Sequence, residues 1–367
     1  MTAAGRDPGT AGGPAGGASM PARMKLDLAA GSPAPADAGR LARAAEAFGF
    51  DALWLAETEH EPFVTSTVAL AATARIEVGT GVAVAFARSP TVIAQASFDL
   101  AAMSDARFLL GLGTQVRAHV ERRFGMAWSA PAPRLGEWID AIRAAWATWQ
   151  DGVPFRVRSE HFDLSLMTPA FSPPPLEVRG PTDRPMIPIS VAGVGPGLAR
   201  LAGRVADGFQ VHPLNTARYL AEVLEPALSL GESERDGDRA ERIVPVFLAP
   251  TDEPAVVDAV RARIAFYAST PSYRGVLALH GRERIGEQLG RLAATGRWAE
   301  MPDLVDDEFL GVAAVVGPSD ALPDALAERV AGHADRVLPL IPFEPRDDGE
   351  PPNLGLWERL RSTIRSA

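Results

Sequence analysis

The stretch Ile76-Glu77-Val78-Gly79-Thr80-Gly81-Val82-Ala83-Val84-Ala85-Phe86-Ala87-Arg88-Ser89-Pro90 decides how this chain is read. Its apolar run over 76–84 predicts a buried strand, and Ser89-Pro90 predicts a helix start with Ser89 as N-cap and Pro90 at the first helical position. Gly79 and Gly81 strip side chains from the strand end. Two readings fit them: close packing against a neighbour, or a bare backbone ledge that a flat ring can approach.

Outward from this stretch, strands and helices alternate. Strands are expected at 24–29, 52–56, 76–84, 108–113, 186–192, 209–212, 243–248 and 336–341. Helices are expected at 37–48, 65–73, 90–103, 117–124, 134–149, 198–205, 254–267 and 357–364. Short apolar strands between amphipathic helices imply a parallel sheet covered by helices. Eight such units over this length point to an α/β fold of the (β/α)8 TIM-barrel type. Two segments fall outside the bare barrel: 155–164, which alternates as a short strand, and 269–308, between strands seven and eight. Residues 1–23, rich in Gly, Ala and Pro, read as a disordered extension without a secretory signal, with Met20 or Met24 as alternative starts. Residues 24–367 read as one domain.

Composition narrows the chemistry. The 367 residues are 47% hydrophobic, carry a formal net charge of −10 and contain no cysteine. Negative charge opposes nucleic acid and anionic membrane as partners. The missing thiols exclude disulfides, thiolate nucleophiles and Cys-ligated metals, and fit a cytoplasmic protein. Lys25 is the only lysine, at a strand start, so Schiff-base chemistry is not expected.

In a barrel of this kind, chemistry sits where strands end. Strand two runs into Glu57-Thr58-Glu59-His60-Glu61-Pro62-Phe63. Carboxylates around His60 could set its tautomer for proton transfer, or the loop is simply acidic and solvated; no partner histidine supports a metal. Strand four ends Gly111-Leu112-Gly113-Thr114-Gln115-Val116-Arg117. Thr114, Gln115 and Arg117 offer polar contacts to a ligand, while the glycines equally suit strand–helix packing. Strand five leads into Ala192-Gly193-Val194-Gly195-Pro196-Gly197, a tight turn or an anion site at a helix N-terminus. His212 closes strand six. Phe63, Phe86, His212 and Tyr267 are the candidates for contact with a substrate, with Trp128 and Tyr273 as further pocket-lining aromatics, although aromatic residues are more often ordinary core.

The residues 45–58 (Ala-Glu-Ala-Phe-Gly-Phe-Asp-Ala-Leu-Trp-Leu-Ala-Glu-Thr), Gly-Thr-Gly-Val at 79–82 with Arg-Ser-Pro at 88–90, Ser-Asp-Ala-Arg-Phe-Leu-Leu-Gly-Leu-Gly-Thr at 104–114 and Leu-Ala-Gly-Arg-Val-Ala-Asp-Gly at 201–208 together resemble the luciferase-like monooxygenase superfamily, in its branch dependent on the deazaflavin coenzyme F420. The resemblance implies a cis Gly81–Val82 bond supporting the ring of F420. It places the cofactor against Thr80, Gly81, Val82, Gly113, Thr114, Gln115, Arg117 and the 192–195 turn of Ala192, Gly193, Val194 and Gly195. It implies hydride transfer to or from a small organic substrate, with His60 as acid or base and Glu57 or Glu59 orienting it. It also implies a homodimer. Sugar-phosphate-oxidising relatives carry a glutamate just after the strand-four Gly-Thr, where this chain has Gln115-Val116. An FMN-dependent monooxygenase, or a barrel that binds F420 without turnover, are the alternatives.

Overall fold

The structure, a computed structural model, describes residues 23–177, 187–343 and 353–367. The extension at 1–22 and Met186 of the expected fifth strand lie outside the described residues. Strands form in the order β1 (Lys25–Leu26), β2 (Leu28–Ala29), β3 (Ala52–Leu55), β4 (Glu77–Thr80), β5 (Ala83–Val84), β6 (Phe108–Gly113), β7 (Val157–Arg158), β8 (Asp163–Leu164), β9 (Ile189–Gly193), β10 (Gly208–Val211), β11 (Glu241–Pro250), β12 (Ala314–Gly317) and β13 (Arg336–Leu340). β1 and β2 are two segments of one barrel strand, interrupted at Asp27. β1 pairs with β13 and β2 with β3, and the path between them runs through β11, β10, β9, β6 and β4, all parallel. The sheet thus closes as the expected luciferase-like TIM barrel.

The elements follow from local sequence. Ser89 caps the helix Pro90–Ser104 by accepting the Val92 N–H, as its position before proline requires. The second helix begins earlier than expected, at Pro62, because Glu61 caps it by accepting Val64 N–H at 2.8 Å. The segment 155–164 is an antiparallel hairpin of β7 and β8, not one strand. β12, absent from the expected set, adds to β11 beside the barrel. The 269–308 insertion is helical, with helices Arg274–Leu279 and Glu283–Ala294 followed by two 3-10 turns. No helix among the described residues is long and apolar enough to cross a membrane.

At the strand starts the barrel interior is ionic. Arg336, 1% exposed, meets Asp27 at 3.1 Å, Glu241 at 2.7 Å and Glu77 at 2.5 Å. Trp54 Nε1 donates to Asp27 Oδ2 at 2.8 Å. Outside this floor, Asp207 accepts Ile189 N–H at 2.8 Å and Arg143 Nη2 at 3.1 Å, while Arg107 donates to the carbonyls of Leu70, Thr73, Ile76 and Ser104. These groups satisfy backbone at strand starts and helix ends that the ladders leave unpaired. The opposite end, where strands finish, is left for chemistry.

Candidate active site

The third barrel strand breaks its ladder at the mouth. Gly79 faces Leu109 and Ala83 faces Leu112, so four steps on one strand match three on its neighbour. The extra residue is a bulge, and it contains the cis Gly81–Val82 bond. Thr80 replaces the missing ladder bonds with its side chain. Its Oγ1 accepts Gly111 N–H at 2.8 Å and donates to Gly111 O at 2.7 Å.

Every neighbour of the bulge is tied down. Gly81 N–H donates to Leu55 O at 2.8 Å, Glu57 N–H donates to Val82 O at 3.2 Å, and Gln210 Nε2 donates to Thr80 O at 3.1 Å. Two backbone groups stay open: among the described residues, Gly81 C=O and Val82 N–H have no hydrogen-bond partner. A fixed ledge with an unpaired acceptor and donor on half-buried backbone suits a planar, polar-edged ring.

The glycines mostly serve the underside of this ledge. A Cβ on Gly79 would meet the Trp54 ring at 2.5 Å, one on Gly111 would meet Thr80 O at 1.9 Å, and one on Gly113 would meet Val82 Cγ2 at 2.5 Å. Close packing therefore explains Gly79, Gly111 and Gly113. Gly195 differs, with nothing within 4 Å of a Cβ there. It precedes the helix Pro196–Val205, where Gly197 and Leu198 N–H donate to nothing among the described residues. Those N–H groups at a positive helix end can receive an anion. Gly193 instead packs on Leu198.

The profile of the luciferase-like monooxygenase family matches residues 16–336. The chain belongs to the luciferase-like monooxygenase family. It is 43% identical over 328 residues to an uncharacterised protein of Mycobacterium tuberculosis, covering 87% of this chain and 94% of that one. It is 30% identical over 282 residues to an F420-dependent glucose-6-phosphate dehydrogenase of Intrasporangium calvum, covering 71% and 79% respectively. Its fold superposes on the coenzyme F420-dependent tetrahydromethanopterin reductase of Methanopyrus kandleri with a TM-score of 0.73 and 19% identity, over 92% of this chain and 97% of that one. Members of the family use F420 or FMN.

In this luciferase-like chain the expected acid–histidine arrangement at strand two is not formed. Arg88 takes both flanking carboxylates, Glu57 at 2.8 Å and Glu61 at 2.8 Å. Glu57 also accepts Val84 N–H at 2.7 Å, so it braces the bulge and does not orient His60. Glu59 is exposed and makes no hydrogen bond or ion pair with His60 among the described residues. The His60 backbone is held by Ser32 Oγ at 2.9 Å, while its half-buried ring has no hydrogen bond there.

Other expected contacts are redirected. Arg117 pairs with Glu121 on its own helix at 2.9 Å. Gln115, at φ 57°, turns its side chain back to Val116 N–H, and Thr114 Oγ1 donates to Gln115 O. Phe86 is fully buried beneath Arg134 and Trp138, and Phe63 is buried between Phe108 and the Arg88 guanidinium. Both phenylalanines support the wall, Phe86 with no exposed surface and Phe63 with 8% of its own.

His212 and Tyr267 do come together at the mouth. The imidazole lies 4.7 Å from the Tyr267 ring and 4.3 Å from that of Tyr273, which the insertion supplies. Leu214 N–H donates to His212 Nδ1 at 3.0 Å, which leaves the neutral ring's proton on Nε2. Burial lowers its pKa to about 3. His212 is therefore a neutral donor throughout the physiological range. Local spacing carries no signal for the Arg88 clamp or for Gln210, whereas Tyr273 is among the pocket-lining aromatics read from sequence. Arg88 and Gln210 both act across more than 25 residues of chain.

Proposed function

We propose that this chain is an oxidoreductase that transfers a hydride between the deazaflavin coenzyme F420 and a small organic substrate. The observation that carries the reading is the Thr80–Val82 ledge, fixed by Thr80, Gln210 and Glu57 and open at Gly81 C=O and Val82 N–H. The similarity to the F420-dependent relative of Intrasporangium calvum supports this cofactor over FMN. When bound, the deazaflavin supplies a ring carbon that takes or gives a hydride and reacts poorly with oxygen.

The chain's own residues would divide the remaining work. The ledge would receive the ring through its open amide groups, and Gly195 with the Gly197 and Leu198 N–H groups would receive the phosphate-bearing tail. His212 Nε2–H would hold the substrate oxygen, stabilising negative charge that develops there in the hydride step. A group held neutral in this way polarises an oxygen without surrendering a proton. His60, free of the carboxylates around it, would exchange the proton.

Single-turnover mixing of reduced or oxidised F420 with a panel of alcohols, aldehydes, ketones and enones tests this. His60→Ala should slow the chromophore change while sparing coenzyme affinity. No change with any substrate would leave a barrel that binds coenzyme without turnover.

A further inference from the structure

A second constellation shares no residue with the ledge and has no part in the proposed hydride transfer. Ser129 lies in the loop before the helix Pro131–Asp151, Glu137 lies in that helix, and His161 lies in the turn of the β7–β8 hairpin. Ser129 Oγ is 3.0 Å from His161 Nε2, and His161 Nδ1 is 2.9 Å from Glu137 Oε2. The same carboxylate oxygen accepts Ser159 Oγ–H at 2.6 Å and His161 N–H at 3.0 Å. Burial alone would raise the Glu137 pKa, but these donors outweigh it and lower the group below its ordinary value.

An ionised carboxylate only accepts, so the His161 proton sits on Nδ1 and the Nε2 lone pair faces the Ser129 hydroxyl. Bond accounting assigns this tautomer. A hydroxyl on an imidazole that a carboxylate orients is the arrangement that activates an oxygen nucleophile, whatever the fold or the order in sequence.

Holding the hairpin to the helix explains only part of the cluster. Glu137, Ser159 and His161 do that without Ser129. Ser129 does not cap the helix, whose N-cap is Ala130, and its hydroxyl has no other partner among the described residues. Beside it, Ala130 and Ala132 N–H donate to nothing among the described residues, and Pro131 and Pro133 have no N–H to offer. Two free donors at the positive end of a 21-residue helix can receive a developing oxyanion. Trp138, 6.4 Å from the His161 ring, and the half-buried Trp128 provide an apolar wall. Ser129 and His161 are half-buried, so a small molecule can reach them.

We propose that Ser129, His161 and Glu137 form an acyl-transfer centre that hydrolyses small carboxylic esters, a second activity independent of the redox site. Ser129 Oγ bonds to the ester carbonyl carbon as its proton passes to His161 Nε2. The bond from that carbon to the alcohol oxygen breaks, and the alcohol leaves with the proton. Water then attacks the acyl-serine, again giving a proton to His161, and the acid departs as Ser129 recovers its hydrogen. One ester and one water become one acid and one alcohol, with no change of oxidation state.

The test uses the full chain without coenzyme. An alkyl fluorophosphonate should label it, with the adduct mapping to Ser129 by peptide mass analysis. p-Nitrophenyl acetate and butyrate should be hydrolysed in the presence of EDTA, and Ser129→Ala and His161→Ala should each lose on the order of 100-fold or more in rate while Ser129→Ala keeps the wild-type melting temperature. An adduct on another residue, no adduct, or Ser129→Ala at the wild-type rate overturns the proposal. So does loss of hydrolysis on chelation, which would point to a metal ion among Glu137, Glu160 and His161. Labelling of the unmodified chain keeps the question decidable even if a variant misfolds.

Discussion

Gln210 reaches across the barrel from β10 to Thr80, donating Nε2–H to the Thr80 carbonyl at 3.1 Å and a second bond to Ser190 Oγ at 2.8 Å. The contact fixes the carbonyl that immediately precedes the proposed ring ledge, and all three residues are buried. Gln210→Leu removes both donors and leaves buried acceptors unpaired, at a cost of about 1–3 kcal/mol. Chemical denaturation should show that loss, and coenzyme affinity should fall with it. Wild-type affinity in Gln210→Leu would separate this contact from the ring site.

Two glycines at strand ends should respond oppositely to one methyl group. Gly111→Ala places a Cβ 1.9 Å from Thr80 O and 2.1 Å from Gln210 Nε2, both held in place, so backbone must move. A loss of about 1–3 kcal/mol is expected. Gly195→Ala meets nothing within 4 Å and should stay within about 0.5 kcal/mol of wild type. Thermal melts of the two variants compare them directly.

The ionic floor depends on its one arginine. Arg336→Met leaves Asp27, Glu77 and Glu241 facing each other in the barrel interior, and a loss of about 3–5 kcal/mol follows. The two sides of this cluster respond differently to burial. The three carboxylates together hold Arg336 firmly cationic, whereas desolvation pushes Asp27 up to about 6 in spite of the arginine. Its ordinary value is 3.8, so the folded state binds the Asp27 proton more tightly than the unfolded state. The resulting stabilisation is complete below about pH 4 and lost as pH rises through 6. Asp27→Asn should flatten the stability–pH curve in that window, measured by denaturant midpoints from pH 4 to 7.

His212 has the opposite sign. Desolvation lowers it from 6.5 to about 3, so the unfolded chain binds its proton first as pH falls. Stability tied to neutral His212 is present above about 6.5 and drains away toward pH 3. Its imidazole NMR shifts should stay flat from pH 5 to 9. A titration near neutrality would contradict the neutral-donor role, and His212→Phe should lower turnover more than it lowers coenzyme affinity.

Much of the barrel could be read from sequence because its signals are local. Ser89-Pro90 states its own helix start, and the apolar runs at 52–55 and 108–113 need only their neighbours in the chain to be recognised. Glu61-Pro62 carried the same kind of start signal, masked by the acidic run around it. β12 was hidden because Ala314–Gly317 is four residues following directly on a helix. The site was less legible, since its bonds are long-range. Arg88 meets Glu57 and Glu61 from 31 and 27 residues away, and Gln210 meets Thr80 from 130. A histidine among carboxylates reads as a proton relay until the arginine that claims them is seen. Some of the text that carried the family likeness, Arg107 and Asp207 among it, turns out to satisfy backbone at strand starts and helix ends, away from the chemistry.

Equilibrium titration of the purified chain with F420, repeated with FMN as competitor, decides which coenzyme the ledge receives. F420 should bind saturably, excess FMN should not displace it, and Gln210→Leu should weaken it. Tight FMN binding that excludes F420, or no binding of either, would contradict the F420 assignment.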